Sequence, residues 1–150
     1  MKQLVRTLLG ASLLISQPSV SAQTFDVKSA ALENGMKMLV QEDHTIPQVS
    51  LSIFYRIGSR NEHTGTTGLS HFFEHMMFNG AKKHRFGEFD RIMEGAGGSN
   101  NASTSKDLTV YYETFPPATL ATIFDLEADR IENLSFDPEV IASERGVVAS

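Results

Sequence analysis

The stretch Gly68-Leu69-Ser70-His71-Phe72-Phe73-Glu74-His75-Met76-Met77-Phe78-Asn79-Gly80 constrains the fold more than any other part of the chain. It reads as a short helix, with Thr66 or Thr67 available to cap its start and Asn79-Gly80 as a left-handed stop. On such a helix His71 and His75 lie one turn apart on one face. Two neutral imidazoles so placed can hold one zinc ion through ring nitrogens. Glu74 borders the same face, so its carboxylate can reach a metal-bound water without taking a coordination position. Catalytic zinc usually has three protein ligands plus water, so one ligand must come from elsewhere. Phe72, Phe73, Met76, Met77 and Phe78 read as core packing.

At 150 residues the chain can build one domain with a real core. It has no cysteine, which excludes both a disulfide framework and a thiolate zinc site. Any metal must be held by His and carboxylates. Residues 1–22 read as a signal peptide: Lys2 and Arg6 are its basic start, Leu8 to Ile15 its apolar run, and Val20-Ser21-Ala22 its cleavage site. The apolar run is too short to span a bilayer, so no stable membrane anchor is expected after cleavage. Removing this segment takes away two positive charges and no negative ones, moving the formal net charge from −5 to −7. Basic residues are not clustered, which argues against nucleic acid as a partner. The expected location is periplasmic, with secretion further out as the alternative.

Further along, Asn34-Gly35 between two extended runs is a hairpin signal. Val49, Leu51, Ile53, Tyr55 and Ile57 alternate with polar residues, which predicts a half-buried strand. Gly58 to Gly68 is then a loop delivering the chain to the His helix, where sites commonly lie. His44 and His63 read as loop residues, and Lys82-Lys83-His84-Arg85 as a solvated turn. Phe86 to Met93 suggests a short helix, broken by Gly95-Ala96-Gly97-Gly98. Ser99 to Ser105 is an extended run of small polar residues, and Leu108 to Thr114 a second strand. The first has properties of a sheet edge able to accept an extended peptide, although from its residues alone a polar loop is the favoured reading. Leu120, Ile123, Phe124, Leu126 and Ile131 predict an amphipathic helix to about Glu132. Asp137-Pro138-Glu139 opens another, with Asp137 as cap.

His71-Phe72-Phe73-Glu74-His75 has the inverted order of the His-Glu-x-x-His zinc motif. Around it stand Leu32-Glu33-Asn34-Gly35, Gly58-Ser59-Arg60-Asn61-Glu62, Gly97-Gly98-Ser99-Asn100-Asn101-Ala102, Tyr111-Tyr112-Glu113-Thr114 and Glu144-Arg145-Gly146-Val147-Val148. In this order and spacing the segments resemble the pitrilysin/insulinase family of zinc metallopeptidases, and within it the bacterial peptidases related to the mitochondrial processing peptidase. The resemblance implies an α+β fold, a mainly antiparallel sheet flanked by helices, of which residues 23–150 are the N-terminal part. It implies one Zn²⁺ held by His71 and His75, with Glu74 as general base for the metal-bound water. The third ligand falls at position 151, one past Ser150, and Glu144 matches a glutamate that supports the site from behind the ligands. Asn101 and Ala102 match residues on which peptide substrate lies as an added strand. A second homologous half, in the same polypeptide or in a partner subunit, is implied to close the chamber. The implied function is zinc-dependent endopeptidase activity on extended peptides or unfolded protein segments. The alternatives are a non-catalytic peptide-binding or scaffold half, or an inactive fragment lacking the third ligand.

Overall fold

The alternating run at Val49 becomes the first strand of the sheet that carries the site. The computed structural model describes residues 25–148. The signal peptide expected over 1–22 lies outside them, as does position 151. The chain divides into two compact units between Asp43 and His44.

In the first unit, β1 (Val27–Ala31) and β2 (Lys37–Gln41) form an antiparallel hairpin, as Asn34-Gly35 predicts. Gly35 takes the left-handed conformation at φ 85°, and Asn34 Oδ1 accepts a hydrogen bond from the Met36 N–H.

The second unit is α+β. Its antiparallel sheet has the order β3–β5–β4, formed by β3 (Val49–Tyr55), β4 (Ser99–Thr104) and β5 (Thr109–Phe115). Four helices accompany it: α1 (Leu69–Met76), α2 (Glu88–Gly95), α3 (Leu120–Glu132) and α4 (Pro138–Val148). Asp137 caps α4 as expected, its Oδ1 accepting from the Glu139 N–H at 2.8 Å. The predicted strand ends at Tyr55, earlier than expected; Ile57 is half exposed, and its carbonyl accepts from the Thr109 hydroxyl. The core joins Phe89 and Met93 of α2, Phe115 of β5, and Ile123 and Leu126 of α3, with Val49 and Leu51 packed against them. Burial of side chains like these is worth about 1.5–3 kcal/mol each, which is what seats α2 and α3 on the sheet.

Two expectations need correction. Leu120, Phe124 and Ile131 of α3 are exposed, while Glu127, Asp129 and Arg130 are buried. Arg130 donates from Nε to Glu127 at 2.8 Å, stands at ion-pair distance from it through Nη2 (2.5 Å), reaches Glu113 of β5 at 3.3 Å, and lies against the rings of Phe89 and Tyr111. Paired, stacked charge thus takes positions that periodicity assigns to apolar residues. The Lys82–Arg85 segment is also more than a solvated turn. Asp129 Oδ2 accepts from the backbone N–H groups of Lys83 and His84, which fastens the segment to α3.

Gly98, the residue before β4, has no room for a side chain. A Cβ there would meet Met93 Sδ at 2.7 Å and the Thr114 carbonyl oxygen at 2.8 Å. Gly98→Ala is expected to cost about 1–3 kcal/mol in denaturant unfolding. Gly95→Ala is the control, since a Cβ there meets nothing within 4 Å, and should cause no loss. Equal midpoints for the two variants would contradict this packing.

The buried triad also predicts a pH dependence. Burial, then the hydrogen bond and charge of Glu127, pushes the Glu113 carboxyl from its usual 4.5 up to about 9. A raised folded-state pKa gives stability that is fully present below the unfolded value of 4.5 and is lost as pH rises through about 9. Glu113→Gln mimics the protonated acid. Its thermal midpoint, taken relative to the unsubstituted protein, should therefore climb between about pH 5 and about pH 9. A constant difference across that window rejects the assignment.

Candidate metal centre

An eight-residue helix carries the candidate ligands. Its start is capped differently from expectation. Gly68 stands at the N-cap in the left-handed region (φ 85°), with no side chain to offer, and Thr66 is engaged with the His63 backbone. The cap comes instead from Glu62, whose carboxylate accepts the N–H groups of Gly68 and Ser70, each at 2.8 Å. Those bonds, Ser70 first, hold the Glu62 carboxyl below its usual range. At the other end Asn79 Nδ2 donates to the His75 carbonyl at 2.8 Å, and Gly80, at φ 103°, turns the chain away. Asn79-Gly80 is the stop the sequence predicts, divided between an amide cap and a left-handed glycine.

The two imidazoles converge. His71 Nε2 and His75 Nε2 are 3.2 Å apart, with the rings nearly perpendicular at 80°. Two nitrogens each about 2.0–2.1 Å from one tetrahedral zinc stand about 3.3 Å apart, so the pair fits that ion. Glu144 of α4 lies 2.8 Å from His75 Nδ1. A carboxylate only accepts, so Nδ1 carries a hydrogen, and in the neutral ring Nε2 is the nitrogen left with a lone pair facing His71. Among the described residues, no cluster of three metal-binding side chains forms around the pair.

Glu74 borders the same cleft, of about 620 Å³, with His71, Ser103, Thr104 and Ser105. Thr104 Oγ1 donates to Glu74 Oε2. Thr104 ends β4, which among the described residues pairs only with β5 and is therefore an edge. The Ala102 N–H on that edge is taken by the adjacent Asn101 Oδ1 at 2.8 Å. The opposite side of α1 is apolar. Leu69, Phe73 and Met77 line a cavity of about 350 Å³ with Tyr55 and Tyr111. Phe73, expected in the core, is thus 42% exposed.

His71, Glu74, His75, Thr104 and Glu144 form one constellation, whereas His63 sits apart in an exposed loop. Sequence reasoning missed the parts played by Glu62 and Thr104. Gly68 offered a clue to the first: a helix starting on glycine has N–H groups that some distant acceptor must satisfy.

Comparison with known proteins places these features in context. Residues 37–150 match the model of insulinase, peptidase family M16. The zinc protease PqqE of Helicobacter pylori is 35% identical, over 97% of this chain and 34% of its own length. The beta subunit of the mitochondrial-processing peptidase of Rattus norvegicus is 32% identical, over 87% of this chain and 27% of its own. Among solved structures, a protease from Helicobacter pylori superposes with a TM-score of 0.80 at 33% identity, covering 84% of this chain and 30% of that one. Pitrilysin gives 0.76 at 27% identity, over 84% of this chain and 14% of its own. The chain therefore spans about a third of the length of the curated relatives it matches.

The cap by Glu62 yields a test. Its lowered folded-state pKa gives stability that is present above the unfolded value of 4.5 and lost as pH falls through the folded one. Glu62→Gln should lower the thermal midpoint near neutrality. The deficit should shrink as the pH is taken below 4.5. A deficit that grows on acidification would exclude the capping role.

Proposed function

The chain belongs to the insulinase family of peptidases, family M16, and from that premise we propose that it forms the zinc-binding part of an endopeptidase acting on extended peptides or unfolded protein segments. The observation that carries the reading is the convergence of His71 and His75 at 3.2 Å, with Glu144 behind His75 and Glu74 sharing a cleft with His71. Relatives named as zinc proteases support the choice of metal.

In this reading His71 and His75 hold one Zn²⁺ through Nε2, and the third protein ligand comes from position 151. When bound, the ion supplies Lewis acidity toward a peptide carbonyl and acidifies water. Glu144 keeps the His75 hydrogen on Nδ1, so the metal-facing nitrogen stays a lone pair. Glu74 takes a proton from the attacking water and returns it to the leaving amine, a role worth roughly 10²–10⁴-fold in rate. The substrate lies along the β4 edge as an added strand at Asn101 and Ala102. Main-chain pairing there accepts varied sequences and demands an extended chain. A second homologous half, in the same polypeptide or a partner subunit, closes the chamber. Export through residues 1–22 to the periplasm belongs to the same reading.

The decisive variant is Glu74→Gln in the full native polypeptide that carries this chain. It should retain zinc and lose at least about 10²-fold in hydrolysis of an unstructured peptide, whereas His71→Ala should lose the metal. Activity within about tenfold of the unsubstituted protein would remove Glu74 from the role of base.

A further inference from the structure

Strand β4 contributes to the site through a side chain as well as its edge. We infer that Thr104 is a positioning residue for Glu74, holding one carboxylate oxygen so that the other is left to take the proton. The inference rests on the reading of Glu74 as general base.

Thr104 Oγ1 donates to Glu74 Oε2, which leaves Oε1 without that bond. The terminal torsion of a glutamate is broad, so an untethered carboxylate samples many orientations. A hydrogen bond to an ionised acceptor is among the stronger ones and removes much of that freedom. Thr104 has a single hydroxyl hydrogen, and Glu74 takes it. The Thr109 hydroxyl stands 3.3 Å from that of Thr104, but its own single hydrogen goes to the Ile57 carbonyl, so the two hydroxyls meet as a packing contact. Thr109 is itself buried, and its hydroxyl also lies 3.1 Å from the Ile57 carbonyl. The hydroxyl that orients Glu74 thus lies against a second, buried one that is itself fixed to the Ile57 carbonyl.

The same strand would set the register of the substrate. Asn100, Ala102 and Thr104 share the more buried, helix-facing side of β4, where Asn100 bonds Asp90 and Thr104 bonds Glu74. Two residues of strand advance about 6.8 Å. A peptide paired at Ala102 and a base tethered at Thr104 are therefore held by one element at a fixed spacing. This placement affects the chemical step and leaves peptide binding alone.

The test compares Thr104→Val, which keeps the shape and loses the hydroxyl, with Thr104→Ser, which keeps the hydroxyl. In the full native polypeptide, kcat and KM on an unstructured fluorogenic peptide are measured with zinc content. Thr104→Val should lower kcat by about tenfold or more, leave KM and zinc content within about twofold, and be largely rescued by Thr104→Ser. A second readout needs no metal. In zinc-free protein, Thr104→Val and Glu74→Ala should shift the thermal midpoint less together than the sum of their separate shifts, since each removes the same bond. Unchanged kcat in Thr104→Val, an equal loss in Thr104→Ser, or additive thermal shifts overturn the inference. Zinc-loaded unsubstituted protein that cleaves no peptide overturns instead the proposed activity on which it rests.

Discussion

A helix of eight residues has no stability of its own in water, and α1 buries only Ser70 and Met76. Everything at the candidate centre depends on holding that helix still. The restraint is polar at each point: Glu62 at its start, Asn79 at its end, Glu144 on His75 and Thr104 on Glu74. Each partner comes from a different segment, so the geometry of two imidazoles is the joint product of a loop, a strand and a second helix. The convergence at 3.2 Å is a tertiary property that the five-residue motif only permits.

Motif and periodicity carried much of this. The hairpin at Asn34-Gly35, the alternating strand from Val49 and the Asp137 cap are local, and local chemistry predicts them. The polar run at Ser99 has nothing to bury, so its residues alone favour a loop; the family resemblance, not local chemistry, marked it as the edge strand it forms. What could not be read is non-local. Nothing near Glu62 in the sequence says that its carboxylate will close a helix six residues on. Nothing near Thr104 announces Glu74, thirty residues earlier.

The interior of α3 failed for a different reason. Periodicity assumes that charge faces water, and there a guanidinium stacked on two aromatic rings and paired with two acids is buried. The arrangement ties β5 to α3 through directional bonds, which fix angle and register more narrowly than apolar contact does. With two acids sharing one base, the neutral form of Glu113 becomes part of the folded state. The strand carrying Glu113 also carries Tyr111 and Thr109, which line the cavity beside the helix of the candidate ligands.

A sheet edge able to take up a foreign chain is also able to take up a copy of itself, and β4 answers both demands. Its six residues include no large apolar side chain, so there is no sticky surface to drive strands of neighbouring molecules together. The Asn101 amide oxygen meanwhile occupies the Ala102 N–H, the kind of group through which edge-to-edge aggregation propagates. A small amide cover of this sort is displaced by a swing of one side chain, whereas a bulge or a proline would close the edge permanently. In the proposed reading, the edge is thereby covered against copies of itself while a substrate strand can still displace the cover.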